Sequence, residues 1–171
     1  MIFQGFKESI LKKKLKKLLF KNDGISTSSS KRIQTVGIIT TNEITSKINL
    51  QEEIEAILGV RNVKIYSLRA FNKTDEFSYK HFTRKDINWK GAFSQTNFKS
   101  FLDEPLDLLI GYFNTNDVFL ESAVLQSKAQ FKVGFSEVNA KLYEIEISEK
   151  IAHVTAFTSE LKKYLQIIKK L

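Results

Sequence analysis

Hydrophobic and polar positions divide the chain into a lysine-studded head and a body of alternating strand-like and helix-like segments. Residues 2–21 read as a helix, because Lys, Leu and Glu favour helix and no Gly or Pro interrupts the run after Gly5. Phe3, Phe6 and Ile10 share one stripe; Leu11, Leu15, Leu18 and Leu19 share a second, rotated about the axis. Asn22, Asp23 and Gly24 are stop signals, and 25–30 (ISTSSS) is a Ser-rich connector. The body opens with 33–40 (IQTVGIIT), a β-rich apolar run that predicts a buried strand. In 49–58 (NLQEEIEAIL), Leu50, Ile54, Ile57 and Leu58 share a helical face, and Gly59 is a natural C-cap. Strands are predicted at 63–68, 106–113 and 129–135, with one closer to an edge at 142–147. Helices are predicted at 99–102 before Pro105, at 117–126 with Asn116 as a cap, and at 153–171. Strands alternating with helices, two of them apolar on both faces, imply an α/β fold with a mainly parallel, Rossmann-like sheet flanked by helices. The expected organisation is a separate basic amphipathic helix at 1–21, a linker at 22–31 and a single α/β domain at 32–171.

The stretch 71–91 fits this alternation least. Phe71, Phe77, Tyr79, Phe82 and Trp89 are interleaved there with Lys73, Lys80, Arg84, Lys85 and Lys90, and a strand is expected near 79–82. Long irregular segments of compact domains often carry function.

Charge sharpens the division. Of the net +8, the first 32 residues hold +7: Lys7, Lys12, Lys13, Lys14, Lys16, Lys17, Lys21, Lys31 and Arg32 against Glu8 and Asp23. The chain has no cysteine, which excludes disulfides, thiolate metal sites and thiol nucleophiles and fits a reducing compartment. No apolar run is long enough to span a membrane, and the lysines at 12–17 break any secretory h-region, so a cytoplasmic location is expected.

The segments HFTRKDINWKG (81–91), DLLIGYFN (107–114), SKAQFKVGF (127–135) and ELKKYLQIIKK (160–170) together resemble an uncharacterised family of short proteins from flavobacteria and their relatives. That resemblance covers nearly the whole chain and implies organisation, with no activity attached. From 107 to 135 alone, the chain is similar to the strand–helix–strand in the N-terminal half of heptosyltransferase-type glycosyltransferases. In those enzymes a second Rossmann domain holds most of the nucleotide-sugar. The likeness therefore implies a Rossmann-like sheet without transferase activity.

Motifs of catalysis are missing. The first strand is followed by TTNE (40–43), and neither GxGxxG, GxxxxGK[ST] nor GxSxG occurs. His81 and His153 are the two histidines, without ligand partners at i+3 or i+4, so no metal or other cofactor is expected. The pairs Asp103/Glu104 and Glu52/Glu53 read as solvated surface. At the strand ends, Asn114 and Asn116 could face a small ligand, but capping is the ordinary role of such residues. Trp89, Arg84 and Lys85 are candidate partner contacts. For Trp89 the competing role is burial at the core's edge, which large aromatics favour.

The lysine-rich helix carries the strongest signal. Seven lysines in 21 residues serve no purpose in folding a near-neutral body, and RNA phosphates or anionic headgroups are the partners that attract them. The competing role is a docked helix showing lysines to water. The expectation is a non-enzymatic accessory protein binding RNA or a ribonucleoprotein such as the ribosome. The alternatives are a peripheral protein of the inner membrane held by the same helix, and a ligand-binding glycosyltransferase-like half-domain without catalysis. A protein partner, or self-association through the leucines of the helix, is open.

Overall fold

A computed structural model describes residues 2–21, 31–75 and 80–171. The connector at 25–30, the stop signals Asn22, Asp23 and Gly24, and the aromatics Phe77 and Tyr79 lie outside the described residues. In chain order the elements are α1 (Ile2–Lys21), β1 (Val36–Thr41), a one-turn α2 (Asn42–Thr45), α3 (Leu50–Leu58), β2 (Lys64–Leu68), β3 (His81–Phe82), α4 (Thr96–Asp103), β4 (Leu108–Gly111), α5 (Val118–Gln126), β5 (Lys132–Phe135), β6 (Ile145–Ile147) and α6 (Val154–Ile167). Single 3-10 turns occur at Arg84–Asp86 and Ala140–Leu142.

The six strands form one sheet in the order β3-β2-β1-β4-β5-β6, with every neighbouring pair parallel. The chain starts mid-sheet, builds outward to β3, crosses back and builds the other half. This is the Rossmann-like order, with its switch point between β1 and β4. β1 and β4 open later than their apolar runs, and side chains bind the backbone ahead of both. The backbone N–H groups of Gln34 and Thr35 each donate to the Asp107 carboxylate at 2.9 Å, and Asp107 N–H donates to the Thr35 hydroxyl at 2.9 Å. That latch takes the place of ladder bonds just ahead of β1 and β4. Burial pushes the Asp107 carboxyl up, but these donors and the Lys31 ammonium together hold it below the usual range.

Helix boundaries follow capping chemistry. Asn49 caps α3, and Gly59 closes it in the left-handed conformation. The cap of α5 is Asp117, one residue beyond the expected Asn116: its Oδ1 accepts from the N–H groups of Phe119 and Leu120. The helix expected at 99–102 extends over Thr96–Asp103. His153 stands at the N-cap position of α6.

Alternation along the strands separates two layers. Tyr112 and Phe135 pack with Phe157 of α6 on one face, and α3 lies beside α6. Lys132 faces the other way and donates to the Val124 carbonyl of α5 at 2.7 Å. Gly111 and Gly134 share that second face, and Tyr143 lies across them so closely that a methyl on either would meet its ring. Of α5, Phe119 through Val124 are buried without interruption. A helix covered all round needs a second partner on its outer side. That partner is α1, which seats Leu11, Leu15 and Leu19 in the common core. Among the described residues no helix is long and apolar enough to cross a membrane.

Candidate functional site

The geometry of α1 follows from its leucines. Leu11, Leu15 and Leu19 recur every four residues and form one stripe, which is buried on the body. At about 100° per residue, Phe6, Lys13, Lys17 and Phe20 fall within about 60° of one another, centred nearly opposite that stripe. Lys12, Lys13, Lys16, Lys17 and Lys21 are exposed. Phe6 and Phe20 are 61% and 62% exposed, at either end of the outward face, with Lys13 and Lys17 between them. Lys141 reaches over the Phe20 ring, its ammonium 4.9 Å from the centroid.

The remaining basic residues of the head are placed differently. Lys7 and Lys14 are half-buried, and the Lys14 ammonium donates to the Gly91 carbonyl at 3.2 Å. Lys31 pairs with Asp107 at 3.4 Å. Arg32 lines a groove with the C-terminal ends of α3 and α6, on the far side of the sheet from α1. Seven of the nine basic groups thus lie on α1, five of them exposed, and Lys31 and Arg32 lie outside the helix.

A cleft of about 590 Å³ opens between α1, the Arg84 turn and the start of α5. It brings together Lys12, Arg84 and Asn116, but sets Glu8, Asp117 and Glu121 against them. Arg84 donates to Asp117, lies 3.9 Å from Glu8 and covers the Phe119 ring at 4.6 Å. Its guanidinium is therefore engaged inside the protein. Glu121 is buried, and burial, with the Asp117 carboxylate behind it, pushes its carboxyl above the usual range. Asn114 is half-buried and does not line this cleft. At the switch point, Thr41 caps α2 and Glu43 occupies its first turn. The place where a Rossmann phosphate loop would sit thus carries a carboxylate. Among the described residues no cluster of three or more His, Asp or Glu could hold a metal ion.

Trp89 departs from the burial habit of its type and is 66% exposed. It sits in a tight turn: Gly91 N–H donates to the Asn88 carbonyl at 3.0 Å, and the Asn88 side chain accepts from Lys90 N–H and Ala92 N–H at 2.9 and 3.1 Å. Gly91 takes φ +74°, which favours glycine. Lys85 stacks on Phe71 instead, its ammonium 3.6 Å from the ring centroid. Asp117, Glu121 and Gln126 escaped sequence reasoning. For Glu121 a signal existed: a lone acid inside VFLESAVL, an otherwise apolar helix.

Residues 7–168 match the model of a family of unknown function, DUF6913, so the match takes in α1 from Lys7 onward as well as the sheet. No curated protein and no solved structure matches the chain.

Proposed function

The chain belongs to this family of unknown function, and from the placement of its lysines we propose a non-enzymatic accessory protein that binds RNA through α1, within a ribonucleoprotein such as the ribosome. The observation that carries this reading is the docking of α1: Leu11, Leu15 and Leu19 are consumed by the core while Lys12, Lys13, Lys16, Lys17 and Lys21 face water. A fixed row of ammonium groups presents positive charge to a phosphate chain without the cost of ordering a free arm. Lysine as the cation fits backbone attraction rather than the two-pronged recognition of base edges by arginine.

Two features weigh against the alternatives. A membrane-lying helix needs an apolar face to insert, but the leucine stripe is already covered. Inserting Phe6 and Phe20 would drag the intervening Lys13 and Lys17 toward hydrocarbon. Nucleotide chemistry at the strand ends would need bare helix N-termini. At the switch point between β1 and β4, Glu43 stands in the first turn of α2, and the Asp117 carboxylate already accepts the N–H groups at the start of α5.

The test compares wild type with a variant carrying Lys→Gln at 12, 13, 16, 17 and 21, measured against single-stranded RNA and against anionic phospholipid vesicles. Lys14 is spared because it braces the Gly91 turn. RNA affinity that falls sharply in the variant supports the reading. Vesicle binding lost on Phe6→Ser and Phe20→Ser, with no RNA affinity at moderate salt, overturns it.

A further inference from the structure

We infer that Trp89 is a stacking platform for an unpaired base of the strand whose phosphates lie along α1. This inference rests on the proposed RNA reading of α1. Trp89 is the one tryptophan of the chain, and two-thirds of it faces water. Its turn needs no indole for its own stability. Asn88 holds the turn with one backbone and two side-chain acceptor bonds, buried Ile87 pairs antiparallel with Phe93, and Asn88 N–H donates to the Ala92 carbonyl at 2.9 Å. A tryptophan carries 150–250 Å² of burial in general, so one left at the tip of a rigid turn is unused by the fold.

The turn is also fastened to the basic helix. The Gly91 carbonyl accepts from Lys14 of α1 at 3.2 Å and from Gln126 of α5 at 3.1 Å, and the Leu11 side chain packs against Gly91. Only Lys90 separates Trp89 from this anchor, so its Cα lies within about 7 Å of that of Gly91. The Lys90 ammonium sits 5.1 Å from the indole centroid, adding positive charge beside the ring. A flat π-surface, rigidly mounted beside a row of lysines, has the two components of single-strand recognition: a basic track for the backbone and an aromatic face for a base. Stacking tolerates every base, which suits a surface whose Arg84 guanidinium is already engaged by Asp117. It requires a base out of its helix, so the surface should prefer single strands to duplex.

Because Trp89 is the sole tryptophan, its fluorescence reports the contact directly. Titration with a short uridine oligomer should quench it, and Trp89→Ala should weaken that affinity roughly 5- to 150-fold, with Trp89→Phe recovering most of the loss. Inorganic polyphosphate should bind the same lysines without quenching and be indifferent to Trp89→Ala. Equal oligomer affinity in wild type and Trp89→Ala, without quenching, overturns the platform while leaving the α1 reading intact. Absence of binding to any polyanion overturns both. A blue shift on anionic vesicles with no response to the oligomer assigns the indole to a lipid surface and overturns the base contact.

Discussion

Replacing Leu11 by alanine tests whether α1 is a structural part of the molecule. Leu11 is 1% exposed and fills the space between α5 and the Gly91 turn. Truncation removes three buried carbons and leaves a cavity that the surrounding side chains close only in part. Comparable fully buried leucines lose about 3 kcal/mol or more. In a domain of this size each kcal/mol lowers Tm by about 2–4 °C, so Leu11→Ala should lower it by about 6–12 °C. Leu15→Ala and Leu19→Ala, at sites 8% and 7% exposed, should fall toward the lower end of that range. Lys13→Ala on the outward face serves as the control, since it removes charge and no packing. Thermal unfolding followed by far-UV circular dichroism reads all four. If Leu11→Ala and Lys13→Ala coincide within about 1 °C, α1 is a free arm and the docking argument fails.

Residues 32–171 without the head should keep the sheet and unfold cooperatively, but at a lower Tm, because the outer side of α5 loses its cover; a chain lacking a cooperative transition would make α1 indispensable to the fold. Glu121 gives a pH test. Its carboxyl is raised by burial, so the folded state holds that proton more tightly than the unfolded chain does. Its favourable contribution is present below the ordinary glutamate range and is lost as pH rises through the raised value. Glu121→Gln should therefore raise Tm relative to wild type at about pH 7 and bring little change at about pH 4; an equal effect at both pH values contradicts the assignment.

Much of the sheet was legible because its signals are local. The apolar runs around 36–41 and 108–111, the Gly59 cap and the short edge at 145–147 all depend on neighbouring residues alone. The Asp107 latch reaches across 72 residues to Thr35, and no local pattern announces it. The docking of α1 was written in two places. Leu11, Leu15 and Leu19 form a clean stripe, but Leu18 and the Phe3–Phe6–Ile10 series blur it, so the helix as a whole shows no single apolar face. The second place was α5, whose run VFLESAVL is apolar on every side and so requires two covers. The exposure of Trp89 ran against the usual burial of large aromatics. The decisive signal was the turn chemistry of Asn88 and Gly91, which puts the intervening residues at a tip. The cleft pairing Arg84 with Asp117 joins residues 33 apart and needed the fold to assemble it.

The salt dependence of RNA binding measures the central claim most directly. Each phosphate neutralised on a single strand releases condensed counterions and contributes about 0.7 to the slope of log affinity against log salt. If three to five of the outward lysines make such contacts, Lys→Gln at 12, 13, 16, 17 and 21 should reduce the slope by roughly 2 to 3.5. The account predicts that reduction with the Tm close to that of wild type. An unchanged slope, with RNA bound equally well by both proteins, would contradict it.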